Sequence, residues 1–197
     1  MAITDINFNF VTVMDVEVWK WNEGEEGDTA GYEKQDFTLD SLSISNISIE
    51  GPEKEARGGQ EAKPLIRYRK TGTLEMEDVL MKADALQAFM AAKIDDASGS
   101  ESITIDDEFA TSLLLKGTTS VINSETGAKE PVDVIFYDFL PNSVFDLTME
   151  AEGDIGMINI SGELFAVDGK FYTIKDHDDA WTPADEGLDE YEAASAT

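Results

Sequence analysis

The chain has 197 residues, with 42 Asp and Glu against 14 Lys and Arg, one His and no Cys, which gives a formal charge of −28. Such a surface repels phosphate, which argues against adhesive nucleic-acid binding, because simple binders need the opposite charge. The absence of cysteine excludes disulfides, thiol nucleophiles and thiolate metal sites, and is typical of proteins made in a reducing cytosol. With 42% hydrophobic residues, the chain is expected to fold as one domain.

The N-terminal residues "MAITDINFNF" lack the basic start and apolar run of a secretory signal. No stretch reaches the ~18 apolar residues of a membrane helix. The sequence therefore predicts a soluble protein without membrane insertion.

The first strand is predicted within residues 3–21, where apolar and polar residues alternate. Val16 and Val18 would share one face, and Glu17 and Trp19 the other. A second alternating segment, 37–50, changes phase near Ser45, which predicts a β-bulge.

Residues 51–64, "GPEKEARGGQEAKP", form a long polar segment of mixed charge. Loops of this length inside a compact domain are usually functional or disordered. The residues of interest here are Glu53, Lys54, Glu55, Arg57, Gly58 and Gly59.

One helix is predicted, at about 78–92, after a strand at 65–76. Apolar residues recur there at helical spacing, and they predict a single packing stripe formed by Val79, Ala83, Leu86 and Met90. A helix with one apolar stripe lies on a sheet or in a subunit seam.

Further strands are predicted at 102–105, 112–116, 118–123 and 131–140. The next segment, "SVFDLTMEAEG", alternates one acidic face, Asp146, Thr148 and Glu150, with an apolar face. The side of this segment that carries Asp146, Thr148 and Glu150 has two interpretations, an ordinary solvated sheet face or the wall of a channel.

A hairpin is predicted around Asp168-Gly169, a type I′ turn signal. The last twenty-two residues carry eight acids and no Lys or Arg, which is typical of an arm without its own core. The predicted organisation is therefore a β domain over 1–175, with an N-terminal arm, and an acidic C-terminal arm over 176–197.

No catalytic or metal motif stands out. His177, in "DHDD", could be a carboxylate-oriented base, but a lone imidazole in an acidic tail is more often plain surface. Nucleotide, EF-hand and P-loop spacings are absent. The sequence predicts no enzyme activity, no cofactor and no metal.

The strand-to-helix unit "YRKTGTLEMEDVLMKADALQAFMAA" and the block from "DEFATSLLLKG" to "DGKFY", taken in this order, resemble bacteriophage tail tube proteins, also called major tail proteins. The resemblance covers roughly residues 65–174. It implies a mainly β (α+β) fold, a β-sandwich or half-barrel with one flanking α-helix. It also implies a structural virion protein of the tail, assembled in the host bacterial cytoplasm.

The resemblance further implies hexameric rings stacked into a tube, with other tail proteins (tape measure, tail tip or baseplate, terminator) as partners. The loop 51–64 would contact the next ring, and Asp146, Thr148 and Glu150 would face the lumen. Double-stranded DNA would pass without specific binding, because an acidic wall within a Debye length of ~8–10 Å repels it.

Two other functions stay open from the residues alone. One is a secreted or surface β-sandwich that binds sugar or calcium through acidic loops. The other is an acidic enzyme from a halophile, since fold class by itself does not exclude catalysis.

Overall fold

The computed structural model describes residues 13–22, 30–51, 53–55, 65–67, 70–78, 83–95, 102–105, 108–122, 127–142 and 158–188. It contains one α-helix in these ranges, α1 (Ala83–Met90), and a short 3₁₀ helix, Pro183–Glu186. The strands are β1 Val13–Asn22, β2 Gly31–Glu50, β3 Glu53–Glu55, β4 Leu65–Arg67, β5 Thr71–Asp78, β6 Lys93–Asp95, β7 Ser102–Thr104, β8 Leu113–Ile122, β9 Lys129–Pro141, β10 Ile158–Leu164 and β11 Tyr172–Asp176.

The main sheet closes into an antiparallel barrel. Its strand order is β10-β5-β2-β1-β8-β9-β11, and β10 also pairs with β9. Strand β9 shares one of its edges between two partners, because residues 132–136 pair with β11 and residues 139–141 pair with β10. The prediction of a mainly β fold with one flanking helix is confirmed, and the expected sandwich or half-barrel takes the form of a closed barrel.

The barrel interior is filled by apolar side chains from every strand of the closed ring. Examples are Val18 from β1, Leu74 from β5 and Phe136 from β9, all buried in one cluster. Helix α1 adds its buried face to this cluster, and its Phe89 ring meets Phe139 edge-on at a centroid distance of 6.4 Å. The interior is therefore a packed core, as expected for a small barrel.

The helix is shorter than predicted. Strand β5 runs on to Asp78, where it still pairs with Ile158 of β10, and the helix begins at Ala83. Hydrogen bonding to β10 thus overrides the helical pattern at 78. Of the predicted stripe, Met90 is buried, Ala83 and Leu86 are half-buried, and Val79 lies outside the described residues. The buried face also includes Ala85, Ala88 and Phe89.

The alternation predicted for β1 is confirmed, since Val16 and Val18 are buried in the barrel core. The predicted bulge is also confirmed, because the pairing of β2 with β5 shifts register between Ile44 and Asn46. The predicted strands at 112–116 and 118–123 form one strand, β8, which runs through Gly117.

Part of the predicted loop 51–64, which lies between β2 and β5 in the chain, is paired. Strand β3 contains Glu53, Lys54 and Glu55 and pairs with β4 through Glu53 opposite Arg67. Part of this loop is therefore one strand of a two-stranded ribbon, whose other strand, β4, begins where the predicted loop ends. The predicted contact residues Arg57, Gly58 and Gly59 lie outside the described residues.

Candidate functional site

The outer face of strands β1, β8 and β9 mixes apolar and charged side chains in paired rows. Trp19 lies opposite Leu114, Glu17 opposite Lys116, and Thr118 opposite Asp133. In β8 and β9, Leu115 and Phe136 pack inside the barrel, whereas Leu114 and Ile135 lie on the outer face. Both faces of these strands therefore carry apolar residues that are buried by packing.

Residues 177–188, here called the strap, supply that cover. Trp181 and Leu188 are each 3% exposed and pack in one cluster with Leu114, Ile135 and Tyr137. A buried Trp contributes a large apolar area. The strap, which the predicted boundary at 175/176 assigns to the C-terminal arm, therefore packs against the barrel through Trp181 and Leu188. Residues 189–197 of the predicted arm lie outside the described residues.

The beginning of the strap is held by Asp133, whose side chain is fully buried. Its Oδ2 accepts a hydrogen bond from the backbone N–H of Asp178 at 3.0 Å, and its Oδ1 accepts one from the Thr118 hydroxyl at 2.8 Å. Lys116, 3% exposed, places its Nζ 3.5 Å from Oδ2 and donates to the Asp178 carbonyl at 2.8 Å. One buried ion pair thus holds the strap backbone through both a donor and an acceptor.

Burial alone would raise the pKa of Asp133. The hydrogen bonds from Asp178, His177 and Thr118, with the nearby Lys116 charge, outweigh it and lower the pKa below the ordinary 3.8. The carboxylate is therefore ionised at neutral pH, as a buried group that accepts several hydrogen bonds can be.

His177 lies between two carboxylates. Its Nδ1 is 2.8 Å from Asp133 Oδ1, and its Nε2 is 3.0 Å from Asp179 Oδ1. The hydrogen bond to Asp133 outweighs the effect of partial burial, and both carboxylates favour the charged ring, so the pKa of His177 is raised above the ordinary 6.5. The interpretation of this residue as plain surface misses its contact with the buried Asp133.

The far end of the strap is held by Glu186. Its carboxylate accepts from Lys175 Nζ at 3.0 Å and from the Tyr137 hydroxyl at 3.1 Å. Although burial raises the pKa of Glu186, these two donors and Lys170 lower it overall. The strap is thus fixed by charged groups at both ends.

Between the two ends, Trp181 lies among cations. Lys116 Nζ is 5.7 Å and Lys175 Nζ 5.0 Å from the centre of its ring, distances that suit cation–π contacts. Trp19 meets Trp181 edge-on at 6.0 Å. Within the described residues, neither indole N–H of this pair has an acceptor, so their contribution is mainly apolar and cation–π packing.

The outer face of β10, β5 and β2 has a different character, here called the acidic face. Its paired rows place Glu163 opposite Thr73 and Ser161 opposite Glu75, with Asn46 completing the second row. Glu75, Thr73 and Glu163 are exposed. These rows contain no Lys or Arg, so this face is hydroxylated, amidic and anionic.

A further exposed surface is apolar. In the ribbon of β6 and β7 all six residues are exposed, and Ile94 lies directly opposite Ile103. Beyond β7, Phe109 is 83% exposed. An isolated two-stranded ribbon is marginally stable in water, and clustered exposed apolar residues often mark contact surfaces.

The predicted lumen residues Asp146, Thr148 and Glu150 lie outside the described residues, and their role stays a prediction. Within the described part of the chain, no group of three or more His, Asp or Glu side chains could hold a metal ion. In the same residues, no helix has the length and apolarity needed to span a bilayer.

No protein-family model and no curated protein matches this sequence. Two cryo-EM structures of the anti-feeding prophage contain chains to which it is similar. The first is the sixfold-symmetrised baseplate, with a TM-score of 0.44 and 12% identity over 87% of this chain and 98% of that chain. The second is the tube-terminating cap, with a TM-score of 0.41 and 15% identity over 90% of this chain and 100% of that chain.

Proposed function

We propose that this chain is a structural subunit of a phage-tail-like tube, and that its acidic face lines a bore through which double-stranded DNA passes. The observation that carries the proposal is the contrast between the two outer faces of the barrel. The strap covers the face of β1, β8 and β9, whereas the acidic face exposes Glu75 and Glu163.

The acidic face suits a conducting wall. DNA is attracted to Lys and Arg by counterion release, whereas carboxylates give it no binding site. Glu75 and Glu163 lie on neighbouring strands at the same outer face, and Glu77 extends the pattern along β5. The overall charge of −28 adds to the repulsion and keeps the wall from retaining the duplex.

Assembly is supported by surfaces that a monomer leaves uncovered. The ribbon of β6 and β7 exposes Ile94 and Ile103, and β11 pairs with β9 alone among the described strands. An unpaired strand edge is a template for another chain. Head-to-tail contacts of this kind give rings when the rotation closes, and we infer hexameric rings that stack and bind other tail proteins.

The proposal predicts the effect of reversing charge on the acidic face. Glu163→Lys should leave assembly intact, because the side chain is exposed and points away from the core. It should make assembled tubes retain DNA at low salt, because each subunit adds a phosphate contact. Each contact steepens the dependence of log K on log[salt] by ~0.9. Co-sedimentation of duplex DNA with assembled tubes across a salt series measures this.

Two variants serve as controls. Glu163→Gln removes the acid without adding a base and should retain little DNA. Asp84→Lys makes the same charge change on the exposed side of α1 and should behave like the parent. If the Glu163→Lys and Asp84→Lys tubes retained equal amounts of DNA, the acidic face would not line the bore.

A further inference from the structure

We propose that the strap is a pH-governed latch, in which the doubly protonated ring of His177 fastens its beginning to the buried Asp133. Loss of one proton from this ring loosens the strap from the apolar face beneath it. The proposal does not depend on the proposed function.

The geometry around the ring calls for two N–H donors. Each ring nitrogen lies within 3.0 Å of a carboxylate oxygen, Asp133 on one side and Asp179 on the other. A neutral imidazole has one donor and one acceptor. After deprotonation, the remaining proton stays on Nδ1, which faces the buried Asp133, and Nε2 presents its lone pair to Asp179. The bond to Asp133 then loses the charge of its donor and weakens, because hydrogen bonds between ionised partners are the stronger ones.

The two contacts are unequal. Asp133 is fully buried, whereas the Asp179 side chain is 95% exposed. The exposed carboxylate can turn toward water, so the bond to Asp133 decides the strength of the latch. The Asp133 carboxylate cannot turn away, because Thr118 and the Asp178 N–H hold it in place.

The charges that face His177 favour the imidazolium. Strand β9 contributes Asp133 and the strap contributes Asp179, whereas the Asp178 carboxylate accepts from the Ala180 N–H. Within the described residues, Lys116 of β8 shares Asp133 with the ring and lies 4.0 Å from Glu17 of β1. Asp176, at the end of β11, adjoins His177 in the chain. Both groups that contact the ring nitrogens are thus carboxylates.

The pH range in which the latch is closed follows from the pKa shifts of His177 and Asp133. Because the folded-state pKa of His177 is raised, its stabilisation is complete below 6.5 and disappears as pH rises through the raised pKa. Because the pKa of Asp133 is lowered, its stabilisation is present above 3.8 and disappears as pH falls through the lowered pKa. The latch is tightest between these two ordinary values.

Loosening begins at one end. Deprotonation weakens the His177 contact, while Glu186 keeps its bonds to Lys175 and Tyr137 at the other end. The part of the strap that lifts first therefore contains Trp181. Its departure uncovers Leu114 and Ile135 on the outer face of the barrel.

The experiment is an NMR pH titration of the full chain. Because His177 is the single histidine, one set of imidazole signals reports its pKa directly. We expect a midpoint above 6.5, and we expect the Trp181 indole N–H, assigned by its loss in Trp181→Phe, to shift with the same midpoint. Between a pH below 6.5 and a pH above that midpoint, the equilibrium constant for opening of the strap should rise tenfold for each pH unit by which the midpoint exceeds 6.5.

His177→Gln keeps a donor for Asp133 but cannot titrate, so the response of Trp181 in this range should disappear. Asp84→Asn, an exposed acid on α1, should keep the parental response. A His177 midpoint at or below 6.5 would overturn the proposal. So would a Trp181 response that is the same in His177→Gln and the parent. If His177→Gln fails to fold, the two parental midpoints decide, and a difference between them counts against the latch.

Discussion

Replacement of Gly162 by valine is expected to prevent the barrel from closing. Gly162 lies where β10 joins β9, opposite Pro141. A Cβ at this position would meet the Leu140 carbonyl and would lie 2.5 Å from Cε2 and 2.6 Å from Cζ of Phe139. Because the carbonyl belongs to the neighbouring strand, relief requires the two strands to separate.

We expect Gly162→Val to lower the free energy of unfolding by about 3 kcal/mol or more, at the upper end of overpacking effects. Gly162→Ala should lower it less. Urea unfolding followed by tryptophan fluorescence measures both. The control is Gly31→Ala, where a Cβ meets nothing within 4 Å. That substitution should leave stability unchanged or raise it by up to about 1 kcal/mol. Equal stability of the Gly162→Val and Gly31→Ala variants would contradict closure of the barrel at β9 and β10.

Removal of the Asp133 charge is the second change with a large expected effect. Asp133→Ala leaves Lys116, 3% exposed, without its buried counterion and removes the acceptor for the Asp178 N–H. Breaking a buried pair on one side costs about 3–5 kcal/mol, and we expect a loss of this size in urea unfolding.

The double variant Asp133→Asn with Lys116→Met separates the charge from the packing. The double variant removes both charges. Its free energy of unfolding should therefore differ less from that of the parent than the free energy of unfolding of Asp133→Ala does. Lys93→Met is the control, because Lys93 pairs with Glu108 at an exposed position and should cost about 1 kcal/mol or less. If Asp133→Ala costs no more than Lys93→Met, the buried pair does not hold the strap.

The sequence predicts those parts of the fold in which one side of a strand is buried. Strand β1 is an example, because Val16 and Val18 face the core while Glu17 stays half-buried outside. The turn at Asp168 and Gly169 is another, since both residues have positive φ, at 49° and 81°. Local backbone chemistry suffices there.

Prediction is weaker where a strand is buried on both faces or has two partners. Strand β9 shows no alternation of burial from Val132 to Phe139, because the strap covers its outer face. The predicted hairpin around Asp168 has the expected turn, but β10 and β11 both pair with β9 and not with each other. The pairing of β10 and β11 with β9 depends on contacts between residues that are distant in sequence.

The packing of the strap on the barrel is not predicted from the sequence, for a physical reason. Its acids suggested a solvated arm, and its anchors Trp181 and Leu188 show no helical or strand period. The pairing of His177 with Asp133 spans 44 residues, so nothing local connects them. The local indication of a buried contact is the pair of acids, Asp133 and Asp138, inside the apolar run "PVDVIFYDFL", because a buried carboxylate needs a partner.

The central claim is that copies of this chain assemble into a tube with the acidic face toward the axis. Electron cryomicroscopy of the purified protein at high concentration, or seeded by a tail tip, tests it directly. We expect closed rings or stacked tubes in which Glu75 and Glu163 line the bore and the strap lies away from it. Assemblies with the acidic face on the outside would contradict the account, as would a protein that stays monomeric under all these conditions.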